Sequence, residues 1–206
     1  MPVVHLVRHG HVHNPDQVLY GRLPDFRLSD AGEAMAAATA AHLASRGGDY
    51  GRLVSSPLLR AQQTAGVIGD ALGLGTDTDD RVIEAGNVWE GRRIRPIARL
   101  LLDPRLLWRL RNPWRPSWGE PYAEQRDRMA AAILDAAAAE PVRDTVIVSH
   151  QLPIWVTRLA AEGRRLAHNP SRRECALASV TSVAVEDGRI AFAGYANPAA
   201  GIEVPR

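Results

Sequence analysis

The chain alternates short apolar runs with longer amphipathic stretches. Runs at residues 3–7, 53–55 and 145–149 have the length and apolar character of buried strands. Residues 179–185 and 189–193 flank an Asp-Gly pair, which predicts a β-hairpin with a tight turn. The pattern therefore predicts three separate strands followed by a hairpin.

Helical segments fit between these strands. They are predicted at residues 30–44, 57–72 and 121–139 and from Pro153 onward. Asp30 with Glu33 three residues later has the spacing of a capping box, and Ser56-Pro57 has the residue types favoured at the N-cap and first position of a helix. Because strands and helices alternate, we predict an α/β fold, a three-layer α/β/α sandwich with a largely parallel central sheet.

Length and composition indicate an ordinary globular protein, and we predict that residues 1–206 form a single domain. All 25 residues counted as Lys or Arg are arginine, yet the net charge is only +2. Cys175 is the single cysteine, which excludes an intrachain disulfide and a cysteine-based metal cage. The N-terminus becomes polar by Arg8, too early for a signal peptide, and no apolar run could span a bilayer. We expect a cytoplasmic protein.

Residues 92–118 break the alternation. This segment holds eight arginines, one acidic residue and three tryptophans. It is predicted to be a basic helical insertion, either a lid over the carboxyl edge of the sheet or a solvated basic face. Tryptophans interleaved with arginines also occur on surfaces that bind nucleic acids or lipids. Because the chain lacks a known nucleic-acid-binding module, we expect no nucleic-acid or membrane partner and interpret the tryptophans as lid packing.

Polar side chains follow several of the predicted strands. Arg8 and His9 end the first strand, His150 ends another, and Glu84 follows a short apolar run. Arg60 lies one turn into a predicted helix. Ligands of open α/β sheets bind at the carboxyl ends of the strands, so these five side chains could converge there. Guanidiniums that bind a phosphate, a histidine that attacks it and a carboxylic acid that protonates the leaving oxygen suit phosphoryl transfer.

The alternating histidines His9, His11 and His13 allow a second interpretation. A His-x-His pattern after a strand also occurs in metallohydrolases. Such sites need further ligands from later strand ends, and few histidines remain to supply them. The metal site is therefore not favoured, and we expect His11 and His13 to be solvated loop residues.

Four segments of the chain, taken together, form a specific sequence signature. They are Arg8-His9-Gly10, residues 55–65 (SSPLLRAQQTA), Glu84 with Trp89-Glu90-Gly91, and Ser149-His150. Tyr20-Gly21-Arg22 and residues 28–32 (LSDAG) complete the set. The set resembles the histidine phosphatase superfamily, in the branch of cofactor-dependent phosphoglycerate mutases and related small phosphatases. The resemblance covers nearly the whole chain in the family's order.

The resemblance implies a role for each matching residue. His9 would be the nucleophile that forms a phosphohistidine. Arg8, Arg60 and His150 would hold the phosphoryl oxygens. Glu84 would donate a proton to the leaving group and then activate the water. Substrate contacts are also implied at Asn14, Gly21, Arg22 and Gln151. No metal or other cofactor is implied.

The chain also departs from the family's pattern near the site. His11-Val12 stands where the family has Glu or Gln followed by Thr or Ser, so a hydroxyl is missing there. Asn14 comes one residue early. Gln151-Leu152 replaces a small Gly-Gly pair, which makes the pocket wall bulkier. These differences weaken any inference about the substrate by analogy.

We predict a metal-independent phosphatase that hydrolyses a small anionic phosphate monoester through a phosphohistidine on His9. Residues 85–91 are closer to the phosphatases than to the mutases, so a phosphoglycerate mutase is the second alternative. A non-catalytic anion-binding protein on the same scaffold is the third, and the presence of both His9 and Glu84 favours the enzyme. The predicted partner is a phosphorylated small molecule, and a homodimer is common in the resembled family.

Overall fold

The apolar run near the N-terminus forms a central strand of a six-stranded sheet. The structure, a computed structural model, describes residues 2–93 and 119–204. In chain order, the strands are β1 (Val3–Arg8), β2 (Tyr50–Ser55), β3 (Thr76–Thr78), β4 (Asp144–Ser149), β5 (Val180–Glu186) and β6 (Arg189–Ala196). Their order across the sheet is β3-β2-β4-β1-β5-β6.

The sheet is largely parallel, as predicted. Strands β3, β2, β4 and β1 pair in parallel, whereas β5 pairs antiparallel with β1 and with β6. Arg8 lies opposite Ser149, and Val148 lies opposite Ser55. The residues that follow β1, β2 and β4 therefore meet at one edge of the sheet. The predicted hairpin is confirmed as β5 and β6.

Within residues 2–93 and 119–204, four helices cover the two faces of the sheet. They are α1 (Asp30–Ser45), α2 (Leu59–Leu72), α3 (Tyr122–Ala139) and α4 (Gln151–Ala161). Within the described ranges, no helix is both long and apolar enough to cross a lipid bilayer. Strand β1 shows how the layers form, because Leu6 and Val7 point to opposite faces and both are fully buried.

Each face of the sheet packs against its own helix pair. Leu43 of α1 and Ile68 of α2 cluster with Val7 on one face. Met129 of α3 and Ile154 of α4 cluster with Leu6 on the other. The predicted three-layer α/β/α sandwich is confirmed.

The cap of α1 and the start of α4 differ from the predicted ones by one or two residues. Helix α1 is capped by Ser29, whose hydroxyl accepts a hydrogen bond from the Gly32 N–H at 3.1 Å, so the capping box predicted at Asp30 is wrong. Helix α4 begins at Gln151, two residues before Pro153. Proline is tolerated there because the backbone N–H groups in the first turn of a helix have no partner within the helix. The N–H that proline lacks would therefore be unused.

The start of α2 was also predicted two residues too early. The helix begins at Leu59, not at Pro57. Ser56, the predicted N-cap, has its hydroxyl 2.7 Å from Nε2 of His150. Its hydroxyl also accepts from the Leu58 N–H at 3.4 Å, so this side chain contributes to the edge of the sheet as well as to the residues just before the helix.

The predicted lid at 92–118 falls outside the described residues except for its first two positions. Of these, Arg93 donates a hydrogen bond to the carboxylate of Asp16 at 2.7 Å. Arg93 also forms an isolated antiparallel bridge with Val18.

The loop after β1 lies directly against the first turn of α1. The Ser29 N–H donates to the His11 carbonyl oxygen at 2.9 Å. A Cβ atom at Gly32 would collide with that same oxygen, and one at Gly10 would collide with the Gly32 carbonyl oxygen. Only glycine permits this close approach at both positions.

Gly32→Ala is expected to destabilise the protein although alanine favours helices. The clash with the backbone at His11 should lower the free energy of unfolding by about 1–3 kcal/mol. Gly66 supplies the matched control, because it lies in helix α2 and no described atom lies within 4 Å of an added Cβ. Gly66→Ala should raise the free energy of unfolding by about 0.5–1 kcal/mol. Urea unfolding measures both, and a Gly32→Ala protein as stable as wild type would contradict the close packing.

Candidate active site

His9 follows strand β1 and is 2% exposed. Its Nδ1 lies 2.8 Å from the Gly10 carbonyl oxygen, so Nδ1 carries the proton and Nε2 keeps its lone pair. Nε2 accepts a hydrogen bond from Nε of Arg60 at 3.3 Å. Burial, and then the charges of Arg60 and Arg8, hold the pKa of His9 well below its usual value. His9 is therefore a neutral imidazole with an available nucleophilic nitrogen.

Arg60 connects the parts of the site. It lies in the first turn of α2 and is 1% exposed. Its Nη2 donates to the Gly21 carbonyl oxygen at 2.6 Å and lies 3.4 Å from Nδ1 of His150. The guanidinium also lies over the Tyr20 ring, 4.7 Å from its centroid. These contacts hold one charged group against both histidines and the loop after β1.

His150 follows β4, and its ring lies beside that of His9, with 5.1 Å between centroids. Its Nε2 contacts the Ser56 hydroxyl at 2.7 Å, so Nδ1 is directed toward Arg60. Burial, and then electrostatic coupling to His9 and the charge of Arg60, hold the pKa of His150 well below its usual value. A bound phosphate dianion would reverse much of that effect and favour a protonated, hydrogen-bond-donating His150.

Arg8 supplies a second guanidinium at the edge of the sheet. Its Nη1 donates to the Cys175 carbonyl oxygen at 2.7 Å. Its Nε is buried and has no hydrogen-bond acceptor among the described residues. Buried donors in folded proteins normally have a partner, so this group is suited to an anionic ligand.

Glu84 supplies the carboxyl group. Ser149, at the end of β4, donates its hydroxyl to the Val82 carbonyl oxygen at 2.7 Å and so positions the segment before Glu84. Oε1 of Glu84 accepts from the Ala85 N–H at 2.8 Å. Burial raises the pKa of Glu84 and outweighs the opposing effect of this hydrogen bond and of the arginines. The carboxyl is therefore suited to carrying a proton.

His9, Arg8 and Glu84 line a cavity of about 480 Å³, and Arg60 and His150 adjoin His9 without being among its lining residues. The lining combines charged and polar residues with aromatic and apolar ones. The described lining includes Arg8, His9, Tyr20, Gly21, Glu84, Glu120, Tyr122, Gln151, Leu152 and Arg173. The structure thus brings together the predicted residues His9, Arg8, Glu84, Gly21 and Gln151, with Arg60 and His150 in contact with one another beside His9.

Asn14 and Arg22, two further predicted substrate-binding residues, do not line the cavity either. Both ends of the Asn14 side-chain amide bond the backbone of Val18, at 2.8 and 3.0 Å. Arg22 donates to the Glu84 carbonyl oxygen at 2.7 Å and to the Glu120 carboxylate at 2.8 Å. Both side chains hold the walls of the cavity in these positions.

Other residues of the matched segments support the loops. Gln63 accepts from the Leu28 N–H through Oε1 at 2.7 Å. The Thr64 hydroxyl accepts from the Gly10 N–H at 3.2 Å and donates to the Arg60 carbonyl oxygen at 2.8 Å. Helix α2 thereby fixes the loop that carries His9.

The sequence did not predict that Arg173 and the aromatic residues Tyr20 and Tyr122 would line the cavity. Arg173 lies about twenty residues beyond His150, in a loop with no hydrophobic periodicity. Tyr20 belongs to a matched segment, but its role beneath Arg60 was not predicted, and Tyr122 opens a helix. A pair of arginines at 172 and 173 was the one local signal, and it is equally typical of a solvated loop.

The three alternating histidines do not form one cluster. His11 Nδ1 lies 2.7 Å from the Ser29 hydroxyl, and His9 faces Arg60. In the described part of the chain, no group of three or more His, Cys, Asp or Glu residues is arranged to hold a metal ion.

Comparison with known proteins gives consistent results. The model of the histidine phosphatase superfamily (branch 1) matches residues 4–198. An uncharacterised protein of Mycobacterium tuberculosis is 50% identical over 197 residues, 96% of each chain. A glucosyl-3-phosphoglycerate phosphatase of Mycolicibacterium vanbaalenii is 32% identical over 154 residues, 70% of this chain and 67% of its own.

Solved structures give the same result for the fold. A mycobacterial glucosyl-3-phosphoglycerate phosphatase in complex with VO3 has a TM-score of 0.76 at 28% identity, covering 94% of this chain and 97% of its own. The match of family model, order of segments and fold extends over nearly the entire chain. The protein therefore belongs to the histidine phosphatase superfamily, branch 1.

Proposed function

We propose that the protein is a phosphatase that hydrolyses small anionic phosphate monoesters through a phosphohistidine on His9. The observation that carries the proposal is the state of His9, a buried neutral imidazole whose unprotonated Nε2 faces a guanidinium. A raised-pKa carboxyl, that of Glu84, lines the same cavity. The phosphatase names of characterised relatives support the proposal.

Substrate binding places the phosphoryl group among the cations beside His9. Arg60 already donates to Nε2 of His9, so an incoming phosphoryl oxygen takes the place of this nitrogen as acceptor. The buried Nε of Arg8 supplies a further donor. His150 gains a proton as the dianion enters and donates through Nδ1. Fixed donors of this kind stabilise charge on the equatorial oxygens of the transferring group.

The first chemical step forms the bond from Nε2 of His9 to phosphorus. The bond between phosphorus and the ester oxygen breaks, and Glu84 gives its proton to that oxygen as the alcohol leaves. The Nδ1 proton of His9 stays on Nδ1 and remains hydrogen-bonded to the Gly10 carbonyl oxygen, which stabilises the positive charge that develops on the ring.

The second step returns the enzyme to its starting state. Water attacks phosphorus, the Glu84 carboxylate takes a proton from it, and the bond between phosphorus and Nε2 breaks. Inorganic phosphate leaves, with His9 again neutral and Glu84 again protonated. We propose that neither step uses a metal ion.

His9→Ala is expected to reduce phosphate release from p-nitrophenyl phosphate by at least about 10³-fold, because no other group can form the phosphoenzyme. His13→Ala is the matched control, because His13 is an exposed histidine of the same loop, and it should retain wild-type activity. Wild-type activity should persist in excess EDTA. Loss of activity in EDTA would contradict the metal-free mechanism and favour the three-histidine metal site.

Glu84→Gln is expected to slow phosphoenzyme formation by about 10²–10⁴-fold with an alkyl phosphate. The effect with p-nitrophenyl phosphate should be much smaller, because its leaving group needs no proton. Glu90→Gln is the control, since Glu90 is a nearby acid that does not line the described cavity and accepts from the Asn87 N–H at 3.2 Å. Rapid-quench measurement of phosphoenzyme formation with the two substrates tests this prediction. Equal slowing with both would exclude Glu84 as the acid.

The pH dependence of phosphoenzyme formation should follow the protonation of Glu84. Burial raises the pKa of Glu84, so its acid form persists to higher pH than that of an exposed carboxyl. The rate with an alkyl phosphate should then fall by up to about tenfold per pH unit above that pKa. The pKa of His9 is lowered, so acidification should not inactivate the nucleophile until well below its usual pKa. Rapid-quench rates from about pH 5 to 9 test this, and a flat profile would contradict it.

The mutase alternative differs in one measurable product. A mutase would return the phosphoryl group to an organic acceptor, whereas a phosphatase releases inorganic phosphate. Incubation with 3-phosphoglycerate, followed by measurement of 2-phosphoglycerate and of free phosphate, separates the two. An anion-binding protein would bind phosphate and yield neither product.

A further inference from the structure

Arg173 lies at the active-site cavity and has side-chain partners of its own there. It follows a short 3-10 turn, Pro170–Arg172, and its side chain lines the cavity together with Glu84 and Gln151. Its hydrogen bonds go to the His168 and Gln151 side chains, whereas those of Arg60 go to Gly21 and to the two site histidines. Arg173 is therefore held in the cavity wall by partners other than those that hold Arg60.

The Arg173 side chain is held in place by specific contacts. Its Nε donates to Nε2 of His168 at 2.8 Å. His168 is itself oriented by the Leu166 carbonyl oxygen, 2.7 Å from its Nδ1, which fixes the tautomer that accepts from Arg173. Nη1 of Arg173 lies 3.4 Å from Oε1 of Gln151. Nη2 donates to no described residue.

The neighbouring backbone is also anchored. Arg158 of helix α4 donates to the Glu174 carboxylate at 2.6 Å and to the Glu174 carbonyl oxygen at 3.3 Å. The Arg158 guanidinium in turn lies over the rings of Phe192, Trp155 and Tyr195, at 4.4 to 5.5 Å from their centroids. The residue next to Arg173 is thus tied to a helix and to the sheet, which makes the position of Arg173 precise enough for recognition.

The charge of Arg173 has no carboxylate partner at ion-pair distance in residues 2–93 and 119–204. Arg22 and Arg128, which lie near the same cavity, both pair with Glu120, at 2.8 and 2.7 Å. Arg173 is half-buried, and burial lowers its pKa. A partly buried cation without a counter-ion is unfavourable in the empty protein, and an anionic ligand removes that penalty.

The reacting phosphoryl group does not neutralise the charge of Arg173. A phosphate monoester dianion matches the two guanidiniums of Arg8 and Arg60. We propose that Arg173 binds a second anionic group, on the organic part of the substrate, and so selects phosphate monoesters that also carry a carboxylate or a further phosphate. This inference rests on the phosphatase function proposed above. A carboxylate can receive hydrogen bonds from Nη2 and Nη1 in the forked geometry that guanidinium favours.

A matched pair of substrates tests the inference. 3-Phosphoglycerate carries a carboxylate where glycerol 3-phosphate carries a hydroxymethyl group. In the wild type, kcat/KM should favour 3-phosphoglycerate, and Arg173→Gln should lower the ratio of the two kcat/KM values by about 10- to 100-fold. Arg172→Gln, at the exposed neighbouring arginine, should leave the ratio unchanged.

Three results would overturn the inference. They are a wild type without preference for the carboxylate, an Arg173→Gln protein with an unchanged ratio, and equal losses with both substrates. Equal losses would instead assign Arg173 to the phosphoryl group or to the fold, and the thermal unfolding midpoint of the variant separates these two explanations.

Binding to a protein that cannot turn over separates this inference from the phosphatase proposal. Calorimetric titration of His9→Ala with the same two compounds should show tighter binding of 3-phosphoglycerate, and the added Arg173→Gln change should remove the difference. Such selectivity without phosphate release by the wild type would support Arg173 and refute the phosphatase. Phosphate release without such selectivity would support the phosphatase and refute the role proposed for Arg173.

Discussion

The parallel pairing of β4 with both β1 and β2 is the constraint on which the site depends. Because Arg8 lies opposite Ser149 and Val148 opposite Ser55, the residues that follow three strands meet at one edge. Apolar side chains on both faces of β1 and β4 hold this register. A shift by one residue would exchange the two faces of a strand and bury its side chains against the wrong helices. The core that stabilises the fold therefore also sets the geometry of the site.

The unpaired charges of the site reduce the stability that the core provides. Arg8, Arg60 and Arg173 lie at this edge with no carboxylate at ion-pair distance in the described ranges, and Arg60 is almost fully buried. The same concentration of positive charge, together with burial, lowers the pKa of His9 and of His150. A single electrostatic environment thus keeps His9 neutral and favours an anion beside it. Glycines at 10 and 32 and the Thr64 hydroxyl then hold the loop of His9 against two helices.

Local pattern was sufficient for most of the fold and for the centre of the site. Except for the short, exposed β3, the strands and helices follow from hydrophobic periodicity, and the order of four short segments was enough to bring His9, Arg60 and His150 together. Ser56 shows where such reasoning fails, and Asn14 has a contact that it did not anticipate. Ser56 has the residue type of a helix cap but contacts His150, and Asn14, predicted from the resemblance to contact substrate, bonds the Val18 backbone. A short polar side chain has several possible partners, and sequence spacing does not choose among them.

By itself, the sequence determined the layer architecture, the parallel core and the chemical identity of the reacting groups, because these depend on periodicity and on residues directly attached to strand ends. Only the tertiary structure decided the protonation state of those groups and the extent of the cavity around them. Burial and nearby charges set the pKa values of His9 and Glu84. Both the burial and the charges come from residues that are far apart in the chain. Arg173 enters the cavity for the same reason, because its position depends on His168, Gln151 and an anchored loop rather than on any local pattern.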